Sequence, residues 1–427
     1  MISDIMNVPN HSALSDKENI MNYNEAYALL EKHSQTHLLD FYNELDPDSQ
    51  NKLLEQIGDL DFSLLSLKKC DTSSARGHLE PLGAITVEQI DARRGEFEQA
   101  GLKALRENKI GAVLLAGGQG TRLGFDKPKG CFNVGVTRDL YIFECLINNM
   151  LDTVRLCGSF FPLYIMTSEI NHDDTVKFFE EHSYFGYDKS RVSFFKQEMA
   201  PSVDFNGKIL LQDKGRISLS PNGNGGWFSS LSKAGYLDQL KAQGVEWLSL
   251  FSVDNVLQRV NDPAFVGATL LSGTPCGAKV IRKNSPEEKI GVMCLEDGKP
   301  SIVEYYEITE DMRNLRDEKG GLLYSFGVIL NYLFRIYALE EATRTPLAYH
   351  IVEKKIPCID AAGNSIRPQA PNGLKFERLT VDLIHLLDSC LPYEIVRNYE
   401  FAPVKNPTGV DSVESARELL ELNGVKL

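Results

Sequence analysis

The sequence predicts an α/β protein with a mostly parallel, doubly wound sheet, an N-terminal helical layer and a small C-terminal region. From Lys109 onward, short apolar runs alternate with helical stretches, which is typical of a parallel sheet covered on both faces. Polar, glycine-rich segments follow several of these runs, and such sheets bind ligands beyond the carboxyl ends of their strands. A chain of 427 residues is also too long for one small core. We therefore expect three regions, at residues 1–108, 109–348 and 349–427.

The N-terminal region is expected to be helical and supportive. Tyr23–Glu44 carries apolar residues at near-helical spacing, and a second helix follows Pro47. Thr72–Gly83 has the composition of a linker. Thr86–Asn108 begins with a capping-box pattern and is predicted as a third helix. No catalytic pattern occurs in this region.

The elements of the middle region follow from short apolar runs and amphipathic stretches. The predicted strands are Gly111–Ala116, Leu163–Thr167, Val192–Lys196, Trp247–Val253, Gly277–Ile281 and Ser325–Leu330. The predicted linking helices are Leu140–Arg155, Asp173–His182 and Gly235–Gln243. A further helix is predicted to begin at Asn331, directly after the last strand. Beyond Tyr349 the pattern loosens, until Ser412–Asn423 forms a final helix.

Composition and charge exclude several functional classes. The net charge of −14 argues against a nucleic-acid surface, and no apolar run is long enough for a membrane span. The start of the chain lacks the pattern of a signal peptide. The eight cysteines show no C-x-x-C pair, so we expect buried free thiols in a reducing compartment. These features predict a cytoplasmic protein, expected to be a monomer, without nucleic-acid or membrane partners.

The segment LLAGGQGTRLGFDKPKG, Leu114–Gly130, is the densest functional pattern in the chain. It matches neither common nucleotide fingerprint, because Leu123 replaces the third glycine of G-x-G-x-x-G and Lys129 stands before a glycine rather than after one. Glycines nevertheless allow main-chain N–H groups to approach phosphate oxygens, and Arg122 and Lys129 supply positive charge. The segment therefore predicts a polyphosphate-binding loop.

This loop resembles the signature of nucleotidyltransferases that make UDP-sugars, and the eukaryotic-type UDP-N-acetylglucosamine pyrophosphorylases match it best. Further motifs occur in the order of that family: KQEMAP, PNGNGG, SVDN, IVEYYEI, KKIP, PNGLKFER and FAPVKN. The resemblance spans roughly Ile110–Leu419 and implies a Rossmann-like nucleotidyltransferase domain at 109–348. One departure is clear, because family members from animals and fungi carry a long segment after the last motif, where this chain has only Pro407–Leu427.

The resemblance implies a reaction between UTP and a sugar 1-phosphate, with N-acetylglucosamine 1-phosphate as the expected sugar. The sugar phosphate oxygen would attack the α-phosphorus in line, and pyrophosphate would leave without a covalent enzyme intermediate. Arg122, Lys129 and Lys405 would hold the phosphates. Asp254, at the end of an apolar strand, would bind Mg²⁺ or Mn²⁺.

Base and sugar sites are implied in the same way. The backbone of Ala116, Gly117 and Gly118 would contact the uracil, Gln197 would answer its donor and acceptors, and Gly223 would pack on it. The residues implied for the sugar are Asn224, Gly291, Glu304 and Asn331. Structural roles compete with these assignments: Gln197 can be a surface amide, Asp254 or Asn331 a helix cap, and Lys405 a surface lysine.

Three alternatives to this function remain. A UDP-glucose or broad-specificity UDP-sugar pyrophosphorylase would use the same loop, and no residue distinguishes N-acetylglucosamine from N-acetylgalactosamine. A catalytically silent regulator that binds sugar nucleotides ranks lower, because Arg122, Lys129 and Asp254 are all present. A dinucleotide-dependent oxidoreductase is disfavoured by Leu123.

Overall fold

The structure is a computed structural model that describes residues 21–67 and 76–427. The helices in these ranges are α1 (Tyr23–Lys32), α2 (Pro47–Gly58), α3 (Val87–Arg106), α4 (Ile142–Cys157), α5 (His172–Glu181), α6 (Trp227–Lys233), α7 (Tyr236–Ala242), α8 (Pro263–Ser272), α9 (Glu310–Asn314), α10 (Ile336–Ala342), α11 (Thr380–His385), α12 (Arg397–Glu400) and α13 (Val413–Leu422).

The strands of the same ranges fall into one large sheet and several short ribbons. They are β1 (Leu79–Pro81), β2 (Ile110–Leu115), β3 (Leu163–Thr167), β4 (Val192–Lys196), β5 (Met199–Pro201), β6 (Val203–Asp204), β7 (Leu211–Asp213), β8 (Arg216–Ile217), β9 (Leu219–Pro221), β10 (Trp247–Ser252), β11 (Cys276–Arg282), β12 (Val292–Glu296), β13 (Lys299–Val303), β14 (Phe326–Arg335), β15 (His350–Lys354), β16 (Cys358–Ile359), β17 (Ser365–Ile366), β18 (Gly373–Glu377) and β19 (Leu391–Glu394).

The large sheet confirms the predicted fold class. Strands β10, β2, β3 and β4 lie side by side and are parallel. All six residues of β2 are buried, as expected for a strand covered on both faces. Ala112 and Leu114 pack into the core on one face, and Val113 and Leu115 pack into the core on the other. This parallel part of the sheet directs the ends of β2, β3, β4 and β10 to one edge.

The other part of the sheet is organised by the long strand β14 and is antiparallel except for the parallel pair of β11 and β19. Its C-terminal half pairs with β10, and Gly327 near its start pairs with β12. The predicted helix beginning at Asn331 is therefore wrong: the strand continues to Arg335, and α10 begins at Ile336. Short apolar runs such as NYLF do not distinguish strand from helix by periodicity, and pairing with β10 decided the outcome.

The predicted first helix is also shorter than expected. Helix α1 ends at Lys32, Ser34 adopts a φ of 57°, and the chain continues in two 3₁₀ turns up to Glu44. The second and third helices are confirmed, as is the capping box formed by Thr86 and Gln89 at the start of α3. A residue in the left-handed region ends a helix locally. Serine is not a residue typical of that region, so the sequence did not predict the end of the helix.

The described residues divide into two compact units, each discontinuous in sequence. The smaller comprises 21–67, 200–220 and 352–375, and the larger comprises 76–199, 221–351 and 376–427. Within the larger unit, α3 packs closely on α8 at Gly101 and Gly267: a Cβ on Gly101 would lie 1.9 Å from the Pro263 carbonyl oxygen. The first predicted region thus contributes a helix to the unit that contains the large sheet.

Seven cysteines lie in the described ranges, and all are free and buried, as predicted; Cys70 lies outside those ranges. Burial raises the pKa of Cys131 and Cys145 to about 12, so these thiols stay protonated at neutral pH. No helix among the described residues combines the length and apolar character needed to cross a bilayer.

Candidate active site

A cavity of about 840 Å³ in the larger unit brings together several residues singled out in the sequence. Asn224, Asp254, Gly291, Glu304 and Lys405 all line it. They come from five separate segments of the chain. A cavity of this size, with polar groups converging from several elements, is typical of a small-molecule site.

The glycine-rich loop follows β2 and is held in place by backbone and amide contacts. The backbone N–H of Lys129 donates to the Gly118 carbonyl oxygen at 3.1 Å, and that of Gly120 donates to the Lys127 carbonyl oxygen at 3.0 Å. The fully buried Asn171 donates from Nδ2 to the Ala116 carbonyl oxygen at 2.9 Å. Asn171 was not identified from the sequence. The segment SEINHDD contains no pattern that predicts a hydrogen bond to a loop 55 positions away.

Gln197 and Gly117 lie against each other, as a shared base-binding role requires. A Cβ on Gly117 would lie 2.6 Å from the Gln197 Nε2 atom, so a side chain here would displace the Gln197 carboxamide. Gln197 is largely buried, and its backbone N–H donates to the Thr167 carbonyl oxygen at 2.8 Å. The carboxamide therefore lies beside bare backbone at the ends of β2 and β4.

Lys129 forms an ion pair with Asp254, and this contact joins the glycine-rich loop to the end of β10. The lysine side chain is mostly buried, whereas the aspartate side chain is 38% exposed and faces the cavity. Arg122 lies on a 3₁₀ turn, is exposed, and forms no ion pair with any residue of the described ranges. The structure thus brings Lys129 to Asp254 and leaves the Arg122 guanidinium open to solvent.

Lys405 reaches the cavity on the segment between α12 and α13. The backbone N–H of Val404 donates to the Asp254 carbonyl oxygen at 2.8 Å, which places Lys405 beside the loop that follows β10. The Lys405 ammonium pairs with Asp411 at 3.1 Å. Asp411 has a φ of 54° and was not recognised in the sequence, because its role depends on the turn that returns it to Lys405.

The sugar-side residues have distinct environments. The backbone N–H of Thr380 donates to Asn224 Oδ1 at 2.9 Å, which fixes this carboxamide to the start of α11. Next to Asn224, Gly223 adopts a φ of 88°, and a Cβ there would lie 2.2 Å from the Arg378 carbonyl oxygen. Burial, reinforced by the nearby Glu307 carboxylate, raises the pKa of Glu304.

Asn331 lies inside β14, opposite Phe251, and is neither a helix cap nor a surface amide. Its Nδ2 atom is buried and has no hydrogen-bond partner within the described chain. Its neighbours Leu330 and Tyr332 line the cavity, and Leu330 adopts a φ of 53°. Asn331 itself does not line the cavity, and a buried donor without a partner costs roughly 1–3 kcal/mol.

Together these groups place positive charge and bare backbone next to a polar pocket. Lys129 pairs with Asp254, Lys405 lies on the segment bonded to the Asp254 backbone, and a glycine-rich turn follows the adjacent strand. Within residues 21–67 and 76–427, no three histidine, cysteine, aspartate or glutamate side chains are grouped to hold a metal by themselves. The arrangement suits binding and positioning of phosphates rather than covalent catalysis.

Comparison with known proteins agrees with this geometry. The sequence profile of the UTP–glucose-1-phosphate uridylyltransferase family matches residues 72–422. The chain is 38% identical over 352 residues to the human UDP-N-acetylhexosamine pyrophosphorylase-like protein 1, covering 80% of this chain and 69% of that protein. It is 35% identical over 365 residues to UDP-N-acetylglucosamine diphosphorylase 2 of Arabidopsis thaliana, covering 80% of this chain and 71% of that protein.

Among solved structures, the uridine diphosphate N-acetylglucosamine pyrophosphorylase of Trypanosoma brucei in complex with an inhibitor is similar. It superposes with a TM-score of 0.77 at 28% identity, covering 93% of this chain and 84% of that one. The chain spans 63 to 69% of the length of the vertebrate pyrophosphorylase-like relatives. Because the family profile covers most of the chain and a relative of 38% identity covers four fifths of it, this chain belongs to the UTP–glucose-1-phosphate uridylyltransferase family.

Proposed function

We propose that the protein is a uridylyltransferase that joins UTP and N-acetylglucosamine 1-phosphate to give UDP-N-acetylglucosamine and pyrophosphate. The observation that carries the proposal is the shared cavity: Asn224, Gly291 and Glu304 lie in it together with Asp254 and Lys405. The Lys129–Asp254 ion pair connects that cavity to the glycine-rich loop. The names of the Arabidopsis and trypanosome relatives support the same substrate pair.

In this mechanism the protein positions the triphosphate of UTP and the sugar 1-phosphate and neutralises their charge. Lys129 and Arg122 bind the triphosphate. Lys405, on the segment bonded to the Asp254 backbone, also binds phosphate. The sugar phosphate oxygen attacks the α-phosphorus in line, the bond to the β-phosphate bridging oxygen breaks, and pyrophosphate leaves with that electron pair. Fixed positive groups that meet charge developing in the transition state accelerate such a step.

The donor set fits one magnesium or manganese ion per active site. Mg²⁺ is usually held by one or two carboxylates together with substrate phosphates and water, and Asp254 offers a single, partly exposed carboxylate towards the cavity. When bound, the ion would supply charge neutralisation at the phosphates. Since Lys129 contacts the same carboxylate, it would have to move towards the triphosphate as the ion binds.

The uracil would lie beside Gly117, within reach of the Gln197 carboxamide and the backbone of Ala116 and Gly118. Gly223 provides bare backbone on the neighbouring segment. A carboxamide offers one donor and one acceptor to the uracil edge, whereas cytosine presents an amino group in place of a carbonyl. UTP should therefore be preferred over CTP.

The sugar assignment is tested with a panel of sugar 1-phosphates. Steady-state kcat/KM is measured by pyrophosphate release with UTP and the 1-phosphates of N-acetylglucosamine, N-acetylgalactosamine, glucose and galactose. N-acetylglucosamine 1-phosphate should exceed glucose 1-phosphate by about 10- to 100-fold, because glucose lacks the acetamide that would pair with buried polar groups such as Asn331. Equal or better use of glucose 1-phosphate would favour a UDP-glucose pyrophosphorylase, and no turnover of any sugar would favour the silent regulator.

The cellular setting is proposed on similar grounds. Buried free thiols suit a reducing cytoplasm, and substrates that are small soluble anions require neither a nucleic acid nor a membrane partner. A monomer is proposed as the working assembly.

A further inference from the structure

The buried side chain of Asn255 joins the loop that follows β10 to the segment that carries Lys405. Its side chain is almost completely buried, with a relative exposure of 2%. Its Nδ2 donates to the Glu400 carbonyl oxygen at 2.7 Å, and its Oδ1 accepts from the Ala402 N–H at 2.8 Å. The donor and the acceptor of this carboxamide therefore both bind the backbone of the segment 400–402.

Backbone contacts extend this connection towards the active site. Asn255 and Pro403 form an isolated antiparallel bridge. On either side of it, Val256 N–H donates to the Ala402 carbonyl oxygen at 3.3 Å, and Val404 N–H donates to the Asp254 carbonyl oxygen at 2.8 Å. Asp254 and Lys405 are thus the residues at which this short ribbon enters the cavity, one on each strand.

The outer end of the ribbon is anchored by a buried charge. Lys279 is fully buried on β11, and its ammonium donates to Glu400 Oε2 at 2.5 Å and to the Arg259 carbonyl oxygen at 3.0 Å. On the loop side, Asn149 Nδ2 donates to the Val256 carbonyl oxygen at 2.9 Å. Both strands of the ribbon are therefore fixed to the sheet and to α4, and Asn255 is the side chain that fixes them to each other.

We propose that Asn255 is a positioning residue that sets the distance between the Lys405 ammonium and the Asp254 carboxylate. Asn255 lies at the wall of the cavity, but its carboxamide is occupied by Glu400, Ala402 and Leu257, so it acts through Lys405. The inference rests on the proposed function, since it assumes that both groups meet the phosphates. A displacement of about 1 Å at a reacting group is enough to reduce turnover by about 100-fold.

The test is a double-mutant cycle between Asn255 and Lys405. Asn255→Ala should lower kcat by about 100-fold, with KM for UTP changed by less than about threefold. Lys405→Ala should have a similar or larger effect. The double variant should be no worse than Lys405→Ala alone, because removing Asn255 no longer matters once its target is gone. Multiplication of the two effects would overturn the proposal.

A second variant separates the bridging role from a local one. Asn255 Oδ1 also accepts from the Leu257 N–H at 3.3 Å, a local contact that a serine hydroxyl can replace. Asn255→Ser should therefore be as impaired as Asn255→Ala, because it keeps the local contact and loses the two bonds to residues 400 and 402. Full activity of Asn255→Ser would show that only the local contact matters.

Thr153→Val is the matched control. Thr153 Oγ1 donates to the Val260 carbonyl oxygen at 3.0 Å, so this variant removes a buried hydrogen bond to the same loop at its far end. It should keep kcat within about twofold and should combine multiplicatively with Lys405→Ala, as expected for independent sites. A loss comparable with that of Asn255→Ala would mean that general loosening of the loop explains both variants, and the proposal would fall.

Hydrogen exchange gives a readout that does not depend on activity. The amides of Ala402 and Val404 should exchange faster in Asn255→Ala and Asn255→Ser than in the wild type or in Thr153→Val. If the wild-type protein made no UDP-sugar, the proposed function would fail, and this exchange result would still decide whether Asn255 connects the two strands. Unchanged exchange at both amides would refute the connection.

Discussion

Lys129 and Asp254 are 125 positions apart in the sequence and form an ion pair at the edge of the sheet. Each has a role in the proposed mechanism, the lysine at the triphosphate and the aspartate at the metal. In the protein without ligands each serves as the other's counter-ion. The ion pair therefore holds both side chains at the sheet edge, and in the proposed mechanism UTP and its metal ion would replace it with new contacts between opposite charges.

Lys129→Ala should lower kcat by about 100-fold or more, because it removes a fixed positive charge from the transferring phosphoryl group. Pyrophosphate release at saturating UTP measures the effect. Lys127→Ala is the matched control: Lys127 is exposed on the same loop, and its contact with Gly120 uses the backbone carbonyl, which alanine keeps. Turnover of Lys129→Ala within a few-fold of wild type would remove the lysine from the mechanism.

Glu304 provides a prediction about pH. Its pKa is raised by burial and by Glu307, so ionisation of this carboxyl group opposes folding. The sign follows: the penalty is absent below the unfolded pKa of about 4.3 and is complete only above the raised folded pKa. Glu304→Gln should therefore raise the Tm relative to wild type at pH 8, and the gain should shrink as the pH falls through the folded pKa.

Thermal unfolding between pH 4 and pH 8 measures this gain, with Glu318→Gln as a control at an exposed position. A Tm difference between Glu304→Gln and wild type that does not vary with pH would contradict the assignment of a buried charge. In kinetics, the same variant should raise KM for the sugar phosphate more than KM for UTP, because Glu304 lines the cavity and is proposed to bind the sugar.

At the scale of elements, the backbone conformation of the segment after β9 determines where Gly223 and Asn224 lie. Gly223 has φ and ψ of 88° and 168°, a region that only glycine occupies readily. It lies against the backbone of Arg378, and the next residue, Asn224, is fixed to the start of α11. The turn thus places a bare backbone and a carboxamide side by side.

Gly223→Ala should impair the site as well as strain the backbone. A Cβ would lie 2.2 Å from the Arg378 carbonyl oxygen, so the 378–380 segment must shift. Gly235→Ala is the matched control, because Gly235 also has a positive φ, 77°, but has open space around its Cβ position. Each should lower stability by roughly 1–3 kcal/mol. Only Gly223→Ala should also raise KM for both substrates by about tenfold or more, on the scale of a lost or displaced contact.

Steady-state kinetics and thermal unfolding of the two variants distinguish strain from displacement. Equal effects on KM in both variants would show that strain alone matters and that contact with Arg378 does not.

Strand β14 also has an unusual backbone conformation beside the cavity. Its pairing with β11 is irregular between Ala278 and Val280, and Leu330 has a positive φ.

At the scale of the whole molecule, the proposed function requires an acidic protein to bind a highly charged anion. The net charge of −14 opposes binding of UTP, so attraction would come from a local group of cations and from a metal ion bound with the nucleotide. Of the carboxylates that line the cavity, Asp254 is the one proposed to hold such an ion, and the phosphates would supply the remaining ligands, since no three metal-binding side chains of the described residues are grouped.

Removal of metal should therefore abolish activity. Chelator-treated protein in metal-free buffer should lose at least about 100-fold in turnover, and Mg²⁺ or Mn²⁺ should restore it. Asp254→Asn should need a higher metal concentration for half-maximal activity, because it keeps the shape and removes the charge. Full activity without metal would show that the lysines and Arg122 alone neutralise the phosphates.

The sequence by itself determined the features that depend on neighbouring residues. Continuous apolar runs predicted β2, β3, β4 and β10 almost to the residue, and the Thr86 capping box fixed the start of α3. The glycine-rich loop and the ordered motifs identified the class of site, because phosphate binding needs glycine and positive charge within one short stretch.

Only the tertiary structure decided the features that depend on residues distant in sequence. Pairing with β10 kept residues 331–335 in a strand and buried the Asn331 amide, which local periodicity assigned to a helix. The bonds of Asn171 to the glycine-rich loop and of Asn255 to residues 400–402 join segments that no motif links. The physical reason is that an amide or carboxylate acquires its role from the partner that folding places opposite it, and the sequence around it does not name that partner.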